Sequence, residues 1–377
     1  MKIIFSSYDS IANPFYAGGG ARVIHEVALR LVRHGHAVTV VCGSYTGSIN
    51  RISDGVSYKH IGIKIGGPLI GQLVFILILP LYVLLESYDI WLEGFTPPVS
   101  TGFLPIFTSK PVIGITMLLH ADKFAQKYRL PFHLVEKIGL KFYRNIISLN
   151  DTITGKIRRI NPDCHVVTIP AGVKNNLFTL PLRRRRDYLL YLGRIDVFHK
   201  GLDILAQIME LVLRKRKNIR LIIAGGGHPQ EVRRLKRIFR EKKMDKNTVF
   251  KGKVEDHIKE MLLNGALIGV NSSRFESFGI TALEFMAVGI PFICFGIEGF
   301  SWIPDDIAFK VEPLNIAAFA KKLIGLIDSP RFRFVLGKKG KRFARQFDYE
   351  ILSSKYENLI NRVYKQYQLK KRELAVL

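Results

Sequence analysis

Short apolar runs alternate with stretches of helical period along almost the whole chain. Lys2–Phe5, Ala37–Cys42, Val56–His60, Asp89–Leu92, Pro111–Ile115, Asn145–Ser148 and His165–Ile169 predict one set of strands. Tyr188–Leu192, Arg220–Ala224, Thr248–Phe250, Leu267–Val270 and Pro291–Cys294 predict a second set. Between them, Ala21–His34, Leu202–Leu213 and Ile258–Leu263 carry the helical period. Alternation of strand and helix predicts α/β architecture, with parallel sheets covered on both faces. The stretch Pro170–Asp187, with Asn175-Asn176, Pro181 and the basic run Arg183–Arg186, reads as an exposed linker. Two doubly wound domains are expected, 1–178 and 179–348, with a cleft between the carboxyl ends of their strands. A polar-basic helix, Tyr349–Leu369, occupies the last stretch, 349–377.

A length of 377 residues suits two domains, and 48% hydrophobic with 23% charged residues excludes a disordered chain. Cys42, Cys164 and Cys294 are widely spaced and odd in number, so they form no metal or redox motif and suit a reducing compartment. Met1-Lys2-Ile3-Ile4-Phe5 is too short for a signal peptide and reads as a first strand, so a cytoplasmic location is expected. The formal charge of +26 calls for an acidic partner: nucleic acid, an anionic membrane or phosphorylated substrates. No nucleic-acid-binding signature is visible, so a specific nucleic-acid partner is not expected.

Residues 65–85 hold twenty-one positions without a charge, long enough for a membrane span. Pro68, Gly71, Gln72 and Pro80 weaken a span, and a crossing would separate the first strands from their own sheet. A helix buried on the sheet or lying in a membrane surface fits better. Residues 131–144 read as a basic amphipathic helix, with Leu134, Ile138 and Phe142 on one stripe and Lys137, Lys141 and Arg144 beside it. Such a helix can lie on an anionic membrane, or pack its stripe on the sheet.

Two carboxylates stand out: Glu276 and Glu284 in Arg274-Phe275-Glu276-Ser277-Phe278-Gly279-Ile280-Thr281-Ala282-Leu283-Glu284. On one continuous helix they would diverge by about 80°. They converge more easily if Glu276 lies in a loop and Glu284 in an early turn, with the helix ending near Gly289. A helix start flanked by carboxylates can hold a sugar nucleotide, with N–H groups on the diphosphate and acids on hydroxyls. Two solvated surface acids are the alternative.

Other candidates follow predicted strands. Gly18, Gly19 and Gly20 let backbone approach a phosphate, or form a plain turn. Arg194 and Lys200, after Gly193, could neutralise a leaving diphosphate, or be solvated cations. His120 stands at a strand end, or is a hydrogen-bonded structural histidine. Gly225 begins a second permissive strand end. No metal site recommends itself, and no cofactor is expected.

In this order the residues resemble the retaining GT-B glycosyltransferases of family 4. The resemblance covers nearly the whole chain. It runs from the glycine loop and Arg33–Val40 through His120, Ile169–Val173, Gly193-Arg194 and Lys200-Gly201 to Glu276 and Glu284. It implies two Rossmann-like domains, the second holding a nucleotide-sugar donor, and a last helix crossing back to the first. Glu276 would contact the transferred sugar, and Glu284 the ribose. Arg194 and Lys200 would hold the diphosphate, helped by the N–H groups of Phe278, Gly279 and Ile280, with Ser277 beside them among the substrate-binding residues. Gly19 and Gly20 would close over it, and His120 would help set the sugar's pose. Transfer would retain configuration without a metal, to a lipid-linked or glycan acceptor at the inner membrane face. Ala171 stands where the family usually has asparagine, Lys174 where it has aspartate, and Gly296–Phe300 lacks the usual proline-glutamate pair. A nucleotide-sugar epimerase, an inverting transferase and a basic nucleic-acid-binding protein are the rival readings.

Overall fold

The computed structural model describes residues 1–13, 18–65, 67–96, 99–117, 119, 121, 125, 129–181 and 187–376. His120 and the basic run 183–186 lie outside the described residues. The chain divides into two compact units, Met1–Ala171 with Tyr349–Leu377, and Gly172–Asp348. The division falls slightly ahead of the expected break at 178, because Val173 bridges to Asp348 and its N–H donates to the Phe347 carbonyl at 2.9 Å. That single bridge joins the two ends of the second unit.

The first unit is built on β1 (Lys2–Ser7), β2 (Ala37–Gly43), β3 (Arg51–Ser53), β4 (Val56–Ile61), β5 (Ile90–Phe95), β6 (Val112–Thr116), β7 (Asn145–Ser148) and β8 (His165–Thr168). Their order is β3-β4-β2-β1-β5-β6-β7-β8, parallel except for the β3–β4 hairpin. Parallel neighbours need crossovers, and right-handed crossovers set the face each helix covers. The step from β1 to β2 runs one way, so the helix Gly19–Arg33 lies on one face, where Tyr349–Val376 packs against it. The steps β4 to β5 and β6 to β7 run the other way, so the helices Gly67–Leu85 and Phe132–Leu140 share the opposite face. Among the described residues, no helix is long and apolar enough to cross a membrane.

The last helix is tied to the first unit by charge. Arg30, buried on the helix Gly19–Arg33, donates to Glu26 and to Glu350, each at 2.8 Å. His34 and His36 hydrogen-bond Glu357 at 2.7 and 3.0 Å.

The second unit holds β9 (Tyr188–Leu192), β10 (Arg220–Ala224), β11 (Thr248–Gly252), β12 (Ala266–Asn271), β13 (Phe292–Phe295) and β14 (Phe309–Val311). All are parallel, in the order β11-β10-β9-β12-β13-β14, which is a doubly wound sheet. Its strands are apolar almost throughout because helices cover both faces.

In the first unit, Glu93 on β5 is a buried acid. It accepts hydrogen bonds from the Gly102 N–H and the Tyr143 hydroxyl, and lines a small cavity with Ser6, Gln72, Phe75 and Ser100. Burial raises its pKa from 4.5 to about 7, against the opposing effect of those two donors. The folded state therefore holds a proton that the unfolded chain releases near pH 4.5, and stability from this group falls as pH rises to about 7. At about 1.4 kcal/mol per unit, the loss is about 3 kcal/mol. Glu93→Gln keeps a neutral side chain, so wild type minus variant stability should decline between pH 4.5 and 7 in urea melts. A flat difference across that window refutes the account.

Candidate functional site

In the second unit β9 and β12 lie side by side, and the chain leaves them in opposite directions. At such a reversal no crossover helix roofs the strand ends, so the loops that follow can face a ligand. These loops are Gly193–Gly201 and Ser272–Gly279.

The two loops are laced together. Gly201, at φ 58°, starts the helix Leu202–Lys215, and a Cβ there would fall 2.0 Å from the Ser272 carbonyl oxygen. Ser272 Oγ donates back to the Gly201 carbonyl at 2.8 Å. The Arg274 N–H donates to the His199 carbonyl at 3.0 Å. The Arg274 guanidinium donates to the Phe198 carbonyl at 2.7 Å and to both Asp203 oxygens at 2.8 and 2.7 Å. Gly193 and Gly225 serve as a backbone crossing, since a Cβ on Gly225 would lie 1.7 Å from the Gly193 carbonyl oxygen.

This framework positions an ion pair. Lys200 Nζ donates to Glu276 Oε1 at 2.8 Å, and the same oxygen accepts from Ser273 Oγ at 2.8 Å and Asn271 Nδ2 at 3.3 Å. The two side chains are only 16% and 10% exposed. Burial pushes the Glu276 carboxyl up, but Lys200, Ser273 and Asn271 together outweigh it and hold the pKa below its ordinary value. Beside the pair, burial first and Lys200 second hold the His199 imidazole below its usual range. Tyr191 is buried within electrostatic reach of both Glu276 and Arg194, and burial and then Glu276 push its phenol up. Arg194 is exposed, 3.9 Å from the Asp196 carboxylate.

Glu276 lies in the loop and Glu284 in the second turn of the helix Ile280–Val288. They form separate pairs, Glu284 accepting from Lys259 Nζ at 2.7 Å. Gly279 precedes the helix at φ 73°, where a Cβ would meet the Phe300 ring at 2.2 Å. No side chain caps this helix start, and its first turn carries no acid. The Ala282 N–H donates to the Gly279 carbonyl at 2.9 Å, while the N–H groups ahead of it meet no carboxylate on that turn, which suits an anion. Behind it, Phe278 stacks on Trp302 at 4.5 Å between ring centroids, and Trp302 Nε1 donates to the Phe278 carbonyl at 2.8 Å.

The structure thus brings Gly193, Arg194, Lys200, Gly225, Glu276, Ser277, Phe278, Gly279, Ile280 and Glu284 to the second unit. Within it, Lys200 meets Glu276 and Gly193 meets Gly225. Gly18, Gly19 and Gly20 lie in the first unit, where the Gly18 N–H donates to Asp9 Oδ2 at 2.6 Å as the first helix begins. His120 lies outside the described residues. Lys174, where the family usually has aspartate, pairs with Asp256 at 3.0 Å.

Sequence reasoning missed Asn271, Ser273 and Lys259. The first two had a signal, because Asn271-Ser272-Ser273 follows directly on an apolar strand. Lys259 had none, since its partner comes from a different helix. Among the described residues, no group of three His, Cys, Asp or Glu is placed to hold a metal ion.

Residues 186–329 match the family model described as glycosyl transferases group 1. Over 210 residues the chain is 27% identical to a phosphatidyl-myo-inositol mannosyltransferase of Mycobacterium tuberculosis, covering 52% of this chain and 53% of that protein. The chain therefore spans about half the length of the curated relatives it matches. Among solved structures, sucrose-phosphate synthase from Thermosynechococcus elongatus matches with a TM-score of 0.81 at 19% identity, covering 97% of this chain and 99% of that one. Anabaena HepE, solved with UDP and glucose, matches with a TM-score of 0.75 at 14% identity, covering 96% and 99%. These likenesses establish a shared GT-B fold of two parallel-sheet α/β domains.

Removing one member of the Lys200–Glu276 pair leaves the other charge buried. Glu276→Leu and Lys200→Met should each cost about 3 kcal/mol, while the double variant Lys200→Met/Glu276→Leu costs less than the two together. Urea denaturation at neutral pH measures this, and additive losses would contradict the pairing. Because the folded Glu276 pKa is depressed, its stabilisation is present above 4.5 and should fade as pH drops below that value.

Proposed function

We propose, from the match of residues 186–329 to the glycosyl transferases group 1 model, that this chain transfers a hexose from a nucleotide-diphosphate sugar to an acceptor hydroxyl. The reading includes retention of configuration, independence of a metal, and a lipid-linked or glycan acceptor at the cytoplasmic membrane face. One observation carries it. An ion pair, Lys200–Glu276, is fixed at the sheet's reversal point within the same loop pair that leads to an uncapped helix start.

Each part has a chemical task in such a reaction. A departing diphosphate gains negative charge, and positive groups already in place stabilise it without reorganisation. Lys200, Arg194 and the N–H groups at the start of Ile280–Val288 are of the right sign. Glu276 is kept ionised by its neighbours, so it can accept hydrogen bonds from sugar hydroxyls and tolerate positive charge on the ring. Glu284, likewise a carboxylate on the helix, suits the ribose hydroxyls. The pairing with Lys200 orients the Glu276 carboxylate before any substrate arrives. The acceptor hydroxyl would attack from the face that the phosphate leaves, with the leaving phosphate oxygen taking its proton. A mannosyltransferase among the relatives, named for a phosphatidylinositol, supports a lipid acceptor, and the UDP of HepE supports a nucleotide donor. His120, Gly19 and Gly20 keep the roles that the family resemblance assigns them, and Gly18 lies beside the two glycines in the same glycine run.

Thermal shift against UDP-, GDP- and ADP-sugars should single out a donor, since bound ligand stabilises with the logarithm of its saturation. With that donor, Glu276→Ala and Lys200→Ala should each lower kcat about a hundredfold or more. Rates unchanged in both would overturn the assignment. Proton NMR of the product should show the donor's anomeric configuration; inversion would favour a rival GT-B enzyme.

A further inference from the structure

The helix Gly67–Leu85 contains no charged residue, yet half of it faces solvent. Phe75, Leu79 and Val83 are buried against the first unit. Ile70, Leu73, Leu77, Leu81 and Leu84 recur at steps of three and four, which places them on one face, and are 37% to 76% exposed. A helix that is apolar all round is ordinarily covered all round.

A second exposed apolar row lies on the same face of the sheet. Leu130, Leu134, Ile138 and Phe142, on and around Phe132–Leu140, are 42% to 54% exposed. The turn Leu104–Ile106 connects the two, since it packs against Gly67–Leu85 while neighbouring Phe103 meets the Phe142 ring at 5.9 Å. Ile106 and Phe107 are exposed there as well. Contiguous exposed apolar surface of this kind marks an interaction site.

The charges beside the rows select the partner. Arg129, Lys137, Lys141 and Arg144 are exposed. The one acid of Phe132–Leu140, Glu136, is half-buried and accepts a hydrogen bond from Ser100, so the four cations outnumber it at this surface. An apolar ridge bordered by cations complements an anionic bilayer, with apolar side chains among the acyl chains and cations at the headgroups. A second copy of this chain, itself carrying +26, would be repelled by the same cations.

We infer that this face of the first unit docks in the plane of an anionic membrane, inserting the rows led by Leu77 and Ile138 without crossing the bilayer. The purpose, access to a lipid-linked acceptor, rests on the proposed function, while the docking is measured apart from it. The full chain should float with vesicles of phosphatidylcholine and phosphatidylglycerol at low salt, and much less with phosphatidylcholine alone. Leu77→Glu/Leu81→Glu should lower binding about tenfold or more. Lys137→Glu/Lys141→Glu should remove most of its salt dependence. Both variants replace exposed side chains, so their melting temperatures and their hydrolysis of a soluble nucleotide-sugar should match wild type.

No flotation of the wild type at low salt overturns the inference, as does unaltered flotation of both variants. So does a dimer in sedimentation that Leu77→Glu/Leu81→Glu dissolves while vesicles are ignored. Flotation that follows the variants supports docking even if no nucleotide-sugar is turned over, in which case only the transferase reading fails.

Discussion

Glu276 is a buried carboxylate, and everything in the candidate site depends on how its charge is satisfied. One oxygen accepts from Lys200, Ser273 and Asn271, so the acid stays ionised although burial opposes it. Lys200 comes from the loop after β9, Asn271 from the last position of β12 and Ser273 from the loop that follows it. They meet because β9 and β12 are neighbours whose chain directions diverge beyond the sheet. Glycine makes the meeting possible: Gly201 lies so close to Ser272 that no side chain fits between them. The pair is therefore a consequence of sheet topology as much as of local chemistry.

The first unit places its polar groups differently. Glu93 is held near neutrality by burial and ties Gly102 and Tyr143 to β5. Those two residues flank the segments that present Ile106, Phe107 and Phe142 to solvent. A costly buried acid thus anchors the base of an exposed apolar surface. The two units differ in this: one orders charge around a carboxylate and a helix start, and the other carries the exposed apolar rows of Gly67–Leu85 and Phe132–Leu140.

Much of this was legible in the amino-acid order. The twelve strands expected from apolar runs all occur, most with ends shifted by one or two residues. Arg51–Ser53 and Phe309–Val311 were missed. Each is three residues long at a sheet edge, too short to show a period, and Arg51–Ser53 is mostly polar. The helix Ile280–Val288 begins after Gly279 and ends at Gly289, both in left-handed conformation, as glycine spacing suggested. Residues 65–85 could be read as buried or interfacial, and hydropathy could not choose, because no position carries a charge and apolar residues fall on every face of the helix.

What the sequence determined by itself was local and periodic. Alternating apolar runs specify strands and helices because side-chain direction repeats every two or every 3.6 residues. Glycines mark the places where backbone must turn or touch, and the order of motifs carries the family resemblance. What only tertiary structure decided was partnership. Lys200 meets Glu276 across seventy-six positions, and Lys259 meets Glu284 from another helix. No pattern along the chain encodes such pairs, since the distance between two charges is set by strand order and crossover hand. The same holds for Glu93, whose raised pKa comes from burial that only the assembled sheet and helices create.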